Sequence, residues 1–333
     1  MSFSRYETED SVVSSEAVVT SMWANNVNPL TTFFTSSTFT EYNVNVYQTG
    51  SALTGSEIQF SLQYAHISGS GSAAINAVAS TTNSPSRVIY GEYRNLIFGT
   101  ETQNFVFNNG TGTTSEDFYV INFSRARYKE SIFPGSLLVT LTGPSLAIQL
   151  TDDSSITSTT NFIGENRYYN LVQSGALTGT SYGYLFPDLD IMIIDCSLLD
   201  TAIAITPNRS SNTLTDNAKL LFGAIKLGAS FSLQSQETIS SRYFFTRVKN
   251  SEFNYTTNPS IIDDNGSIIY STLVNSPQTY ITSVGLYNDN NELLAVAKLS
   301  RPLLKDFTKE QLMRVKLSYS WIIGLLGIAS MFI

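Results

Sequence analysis

Short runs of alternating apolar and polar residues, separated by turn-forming residues, constrain the fold of this chain more than any other feature. One run has an apolar residue at every second position, at Ile58, Phe60, Leu62 and Tyr64. Side chains two residues apart on a strand lie on the same face, so this run predicts a half-buried strand. The Ser- and Gly-rich segment 68–72 follows it as a predicted loop.

Comparable runs predict strands along the rest of the chain. They are Thr40–Tyr47, Asn104–Phe107, Phe118–Phe123, Ser136–Leu141, Leu146–Leu150, Tyr168–Val172, Ile191–Ile194, Tyr243–Val248 and Ser267–Leu273. The chain also has 18 Tyr and 20 Phe, and aromatic and β-branched residues fit pleated surfaces. We therefore predict an all-β fold, mostly antiparallel and sandwich-like, with one or two short helices. The best helix candidate runs from Asp216 to Gly228.

The predicted domain organisation has two β-rich domains and a tail. The polar stretch Asp152–Thr160 indicates a boundary near residue 155. We assign residues 1–155 to an N-terminal domain and 156–319 to a C-terminal domain. The remaining residues, 320–333, form an apolar C-terminal tail.

The clearest local pattern is a β-hairpin near the C-terminus. Two apolar runs, Thr279–Tyr287 and Glu292–Leu299, flank the turn-forming residues Asn288–Asn291. Pro302 is expected to end the second strand. A short helical turn within Asp306–Leu312 and a closing strand from Met313 to Tyr319 are expected to follow.

The tail from Trp321 to Ile333 contains no charged residue. A transmembrane helix needs about 17–25 apolar residues, and this run reaches that length only with the polar residues before it. Docking into a neighbour or onto the protein's own core is the first interpretation. Membrane contact is the second, and chance read-through at the end of the gene is the third.

The charge of the chain argues against nucleic-acid binding. The formal net charge is −8 and the sequence pI is about 4.7, so phosphate backbones are repelled. The densest positive cluster is Arg125–Lys129. On a strand its three charges would share one face, where salt bridges to a neighbour are the expected role.

The sequence lacks the side chains that most catalytic and metal sites need. His66 and Cys196 are the only histidine and the only cysteine, and they are far apart in sequence. They cannot build a His/Cys metal cage within one chain, and no Gly-x-Ser-x-Gly elbow, phosphate loop or dinucleotide motif is present. A buried, inert thiol is expected at Cys196. We predict no metal and no cofactor.

Carboxylates are the remaining route to catalysis. Asp188, Asp190 and Asp195 surround an apolar strand, and the first two would share one strand face. Glycoside hydrolysis uses two carboxyl groups about 5–10 Å apart in a cleft. Acids at turns and strand ends that face water are the favoured interpretation, as for the loop acids Asp152 and Asp153. No enzymatic activity is predicted.

The C-terminal third resembles a family of virion structural proteins from T4-like contractile-tailed phages, notably those of cyanobacteria. The resemblance is carried by Tyr243–Pro259 and continues through Thr279–Lys316, and it covers roughly residues 230–319. The hairpin segments Val284–Tyr287 and Leu294–Ala297 are also similar to hairpins in phage tail-fibre attachment modules. The sequence departs from the family after about Tyr319.

The resemblance implies a non-enzymatic virion component, assembled in the host cytoplasm and present in the baseplate or tail periphery near fibre attachment. Its partners would be other virion proteins and further copies of itself. Two alternatives are a carbohydrate- or receptor-binding module of the tail and a head or neck structural protein. A polysaccharide-degrading enzyme, acting through Asp188 and Asp190, is a third hypothesis.

Three groups of residues are predicted to form interfaces. They are Phe253, Asn254 and Tyr255, then Asn288, Asp289, Asn290 and Asn291 at the hairpin tip, and finally Trp321 and Ile322 in the tail. For the first group, ordinary core packing next to a turn at Asn258–Pro259 explains the sequence equally well.

Overall fold

The computed structural model describes residues 6, 8–35, 43–50, 57–72, 84–107, 112, 114–127, 129–158, 160–210, 216–255 and 258–320. The strands are β1 (Ser11–Ser21), β2 (Phe34–Thr35), β3 (Val44–Tyr47), β4 (Ile58–His66), β5 (Asp117–Phe123), β6 (Ser131–Ile132), β7 (Leu138–Thr142), β8 (Ala147–Asp152), β9 (Asn161–Ile163), β10 (Asn166–Gln173), β11 (Gly183–Phe186), β12 (Ile191–Asp195), β13 (Phe231–Ser232), β14 (Gln234–Val248), β15 (Thr279–Tyr287), β16 (Leu293–Lys305) and β17 (Gln311–Ser320). The helices are α1 (Pro85–Phe98), α2 (Cys196–Ile203), α3 (Asp216–Gly228) and α4 (Ser271–Asn275). Mostly antiparallel sheets with a few short helices confirm the predicted all-β class.

The chain divides into two compact units. The smaller unit comprises residues 1–17 and 238–333, and the larger unit comprises residues 18–237. The predicted boundary near residue 155 falls inside the larger unit, where β8 and β10 pair across it. The polar stretch that suggested this boundary therefore connects strands of one sheet.

The larger unit is built on one long, curled sheet. Its strand order is β13-β7-β8-β10-β11-β12-β5-β4-β3-β2, with β9 added beside β10. Leu30, just before β2, exchanges two backbone hydrogen bonds of 2.9 Å with Phe231 of β13. The segment that leads into one end of the sheet is thus joined to the strand at the other end.

Both faces of the central strands of this sheet are buried. On one face, Trp23, Phe60, Phe123 and Phe231 pack with ring centroids 5.0–6.2 Å apart, in a cluster that also includes residues of α2 and α3. On the other face, apolar residues of α1 pack against alternate residues of the central strands. The unbroken apolar run Ile191–Ile194 fits a strand that is buried on both sides.

The helices differ in how well the sequence predicts them. The predicted helix Asp216–Gly228 is confirmed as α3. Helix α1 was not predicted, although Pro85 begins it and Gly99, with φ of 67°, ends it, a pairing typical of helix boundaries. Helix α2 follows β12 directly, and its first turn is capped by Asp195, whose carboxylate accepts the Leu198 N–H at 2.8 Å.

The smaller unit combines a sheet with a separate hairpin. β14 lies between β1 and β17, and β15 pairs with β16, so the predicted hairpin and closing strand are confirmed. The inner faces of these strands share a small core of Val248, Val284, Leu286, Met313 and Val315.

Pro302 does not end the second hairpin strand, contrary to expectation. β16 continues to Lys305 because the register shifts between the pairs Ser283–Lys298 and Ile281–Leu303. Residues 299–302 of β16, which lie between these two pairs, have no paired residue in β15. Proline has no N–H to donate, so it is tolerated where the ladder is interrupted.

Three other local predictions were wrong. The predicted strand Ser267–Leu273 contains only an isolated bridge at Ile268 and the start of α4. No helical turn forms within Asp306–Leu312, where a tight turn leads into β17. Asn104–Phe107 forms a single bridge through Val106 instead of a strand, because burial of its aromatic side chains against α1 satisfies the apolar pattern.

Candidate protein interface

The polar residues closest to the only histidine form a closed cluster. The His66 Nδ1 atom accepts the Ser68 N–H at 3.1 Å. The Asp117 carboxylate accepts the Tyr64 hydroxyl at 2.9 Å and two Arg209 groups at 2.8 and 2.9 Å. The Ser68 hydroxyl also lies 3.1 Å from the His66 Nδ1 atom. Among the described residues, Asp117 bonds to Tyr64 and Arg209 and not to His66, so this serine and histidine are not extended into a Ser–His–Asp relay.

Burial and the Asp117–Arg209 ion pair set the electrostatics of this cluster. Burial lowers the pKa of His66, and Asp117 opposes that shift. Burial and the Asp117 charge raise the pKa of Tyr64. No sequence pattern indicated this cluster, because Tyr64 fits a core position and Arg209 lies in a polar segment.

The carboxylates considered for catalysis have separate structural roles. Asp188 forms a 2.7 Å ion pair with Arg167, Asp190 is buried in the turn before β12, and Asp195 caps α2. The predicted shared strand face for the first two does not form, because both lie in a turn.

The adjacent loop acids are buried acceptors. Asp152 accepts the Gly135 N–H at 2.9 Å, and Asp153 accepts the Asn170 backbone N–H at 2.9 Å and its side-chain amide at 2.8 Å. Each carboxylate fixes a turn to a neighbouring segment.

The positive cluster Arg125–Lys129 lies around a turn and not along a strand. Arg127 pairs with Glu57 at 2.6 Å and Lys129 pairs with Glu237 at 3.0 Å. The predicted salt bridges therefore form within the chain.

Two further sequence expectations bear on binding. Cys196 is fully buried, and burial raises the pKa of its thiol, as expected for an inert thiol. Trp23 lies in the core and donates its indole N–H to Phe231, so it offers no platform to a sugar. Across the described ranges, no three potential ligands are grouped for a metal ion. No helix there is both long enough and apolar enough to cross a membrane.

The first predicted interface group divides between surface and interior roles. Phe253 and Tyr255 are exposed, whereas Asn254 is half-buried. The Asn254 side chain accepts a hydrogen bond from Lys305 at 2.9 Å and donates one to the Asn250 carbonyl at 2.6 Å. Asn254 therefore holds this segment against the base of the hairpin.

Lys305 is fully buried at the centre of that contact. Its ammonium group donates to the Asn250 carbonyl, the Asn254 side-chain oxygen and the Asp306 carbonyl, each at 2.9 Å. Three uncharged acceptors thus use all three donors of the ammonium group. Sequence reasoning missed this residue because a single lysine at a strand end is usually solvated.

At the hairpin tip, Asn288 organises the turn and its neighbours are exposed. The Asn288 side-chain oxygen accepts the N–H groups of Asn290 and Glu292 at 3.0 and 2.8 Å. Asp289, Asn290 and Asn291 face solvent, and Asn291 has a φ of 64°. The last three residues remain available for contacts.

The outer face of the hairpin is apolar. Its exposed residues are Tyr287, Leu293, Leu294 and Val296. Behind them, the inner face packs in the small core through Val284 and Leu286. The sequence indicates this surface through the uninterrupted apolar run 293–297, because such a run places apolar side chains on both faces of a strand.

The third predicted group, Trp321 and Ile322, lies outside the described residues, as do residues 323–333. Ser320, the first residue of the predicted tail, ends β17. No family model, curated protein or solved structure matches the chain.

Proposed function

We propose that this chain is a non-enzymatic structural subunit of a contractile-tailed phage, placed in the baseplate or tail periphery and held there by protein–protein contacts. The observation that carries the proposal is the apolar outer face of the hairpin β15–β16. Leu294 is 68% exposed, and Leu293 and Val296 are also exposed beside it. A contiguous apolar surface of this kind marks a site of association.

The distribution of apolar residues in the chain supports the same role. Most of the large apolar side chains that are exposed in the described ranges belong to the smaller unit. Among its described residues, the buried core of that unit contains five residues. A partner that covered the hairpin face would remove this apolar surface from water and stabilise the unit.

The resemblance of Tyr243–Pro259 and Thr279–Lys316 to virion structural proteins supports the phage assignment. The similarity of the hairpin to those of fibre-attachment modules favours the tail periphery. The closed Tyr64–Asp117–Arg209 cluster and the separated carboxylates Asp188 and Asp195 favour a structural role over a catalytic one.

The test is incorporation of the chain into phage particles. Leu294→Gln replaces an exposed apolar residue on the hairpin face, and Leu227→Gln makes the same change at an equally exposed position, 68%, in α3. Phages carrying each variant are purified, and the copy number of the chain per particle is measured by quantitative mass spectrometry. We expect Leu294→Gln to reduce incorporation about tenfold, since an interface hot spot contributes 1–2 kcal/mol or more, and Leu227→Gln to leave it unchanged.

Purified particles that lack the wild-type chain would refute the virion assignment. Equal incorporation of both variants would show that the hairpin face is not the attachment surface. Turnover of a host polysaccharide by the purified chain would refute the non-enzymatic role.

A further inference from the structure

A stripe of cationic and apolar side chains lies on the outer face of the β14–β17 sheet. Three directly opposed pairs form it: Tyr243 with Lys316, Phe245 with Arg314, and Arg247 with Leu312. Opposed residues in an antiparallel pair share a face, and this face is opposite to the one that packs Val248 and Met313 into the core. We call these six residues the basic stripe.

Three residues of the basic stripe are exposed and the other three are half-buried. Arg247 and Arg314 are exposed, and Leu312 is 62% exposed. Arg314 and Lys316 lie 5.4 and 5.6 Å from the centre of the Tyr243 ring. Within the described ranges, none of the three cations makes an ion pair. The ring holds two of the cations close together without cancelling their charge.

The charge of the chain is unevenly distributed. The larger unit has sixteen Asp and Glu residues against nine Lys and Arg, whereas the smaller unit has eleven against ten. Nearly all of the net charge of −8 therefore belongs to the larger unit.

An acidic, partly apolar surface lies at the C-terminal end of α1. Glu92 and Leu96 are exposed and one turn apart on α1, and Glu101 follows the end of the helix. The β9–β10 turn reaches this end, since the Asn166 side chain donates to the Leu96 and Ile97 carbonyls at 3.3 and 3.1 Å.

Two more residues near this end of α1 are exposed, Glu165 in the turn and Phe162 in β9. Arg167, which lies opposite Phe162, is paired with Asp188. We call Glu92, Leu96, Glu101, Phe162 and Glu165 the acidic patch. The nearby cation Arg94 lies 5.9 Å from the centre of the Tyr90 ring.

We propose that the basic stripe of one copy docks on the acidic patch of a second copy. The inference rests on the proposed function, because it specifies how a multi-copy structural subunit associates with itself. Three cations flanked by Phe245 and Leu312 face three carboxylates flanked by Leu96 and Phe162, so both charge and apolar surface are complementary. The two surfaces differ, and such a heterologous contact builds rings or open filaments.

The test is a charge swap in the full-length chain. One variant combines Arg247→Glu, Arg314→Glu and Lys316→Glu, and the other combines Glu92→Lys, Glu101→Lys and Glu165→Lys. We expect self-association, measured by analytical ultracentrifugation, to weaken at least a hundredfold in each variant alone. An equimolar mixture should restore association, because each reversed surface meets an opposite charge. Salt should weaken wild-type association.

A control combines Lys226→Glu, Lys298→Glu and Arg301→Glu, which changes the net charge equally but leaves the basic stripe intact. It should associate like the wild type. Circular dichroism checks folding, and a variant that fails it is replaced by the neutral set Arg247→Gln, Arg314→Gln and Lys316→Gln, for which weakened association is again expected.

Three outcomes would overturn the inference. They are a wild type that stays monomeric, a stripe-reversed chain that associates normally, and a mixture that does not recover. Binding to heparin that is lost on stripe reversal, without self-association, would assign the stripe to a polyanion instead. If the chain is present in phage particles but stays monomeric in solution, only this inference fails. If the particles lack the chain, the proposed function fails.

Discussion

At the scale of single residues, His66 links pH to stability because it is the only histidine in the chain. Burial lowers its pKa in the folded state, so the unfolded state binds more protons once the pH falls through the ordinary value of about 6.5. The stability that neutral His66 contributes is present above that value and is lost as the pH falls towards the folded-state pKa.

The variant His66→Asn separates this effect from the loss of the side chain. Asparagine offers an oxygen that can accept the Ser68 N–H in place of Nδ1, but it does not titrate. We expect the unfolding free energy of the wild type to fall as the pH is lowered from 7 to 5, because the unfolded chain binds the His66 proton more readily than the folded chain. The variant should show a shallower decline in urea titrations over this range. Identical slopes for both proteins would contradict the assignment.

At the scale of elements, the hairpin tip depends on one side chain. Asn288 accepts the N–H groups of Asn290 and Glu292 and donates to the Glu292 carboxylate at 2.6 Å. Asn288→Ala removes all three bonds and should cost the hairpin about 1–2 kcal/mol. Amide hydrogen exchange in β15 and β16 should accelerate about tenfold. Asp289→Ala, one position further along the exposed turn, should leave exchange unchanged, and equal acceleration would show that Asn288 does not hold the turn.

The same hairpin shows what the sequence could and could not predict. Local alternation and a run of Asn and Asp located both strands and the turn, because these signals act over a few residues. The passage of β16 through Pro302 and the burial of Lys305 depend on pairing with β15 and on the Asn250 and Asn254 oxygens. No local pattern in the sequence indicates such long-range contacts.

The predicted interface residues divide in the same way. Tyr255 and Asp289 are exposed, as turn residues usually are, and their predicted role in an interface stays a prediction. Asn254 and Asn288 instead make internal hydrogen bonds, and a sequence cannot distinguish an amide that binds a partner from one that holds its own loop. The basic stripe could not be found from the sequence, because its two halves lie more than sixty residues apart.

At the scale of the whole molecule, the two units have very different cores. In the described ranges the two buried clusters of the larger unit contain thirty-two and thirteen residues, against five in the cluster of the smaller unit. Apolar burial is the main stabilising contribution to folding, so the smaller unit should be the less stable part. Its buried lysine adds a second weakness, because three carbonyl oxygens depend on one ammonium group.

We therefore expect the purified chain to unfold in two steps, with the smaller unit first. Lys305→Met keeps most of the side-chain volume but leaves three partly buried oxygens without their donor, at a cost of about 3 kcal/mol. In differential scanning calorimetry this variant should lower the first transition by roughly 10 °C, since 1 kcal/mol shifts a domain of about 100 residues by several degrees. The second transition should not move. Lys298→Met, at an exposed position of the same strand, is the control and should change neither. A single transition that Lys305→Met shifts as a whole would mean that the small core and the large sheet unfold as one cooperative structure.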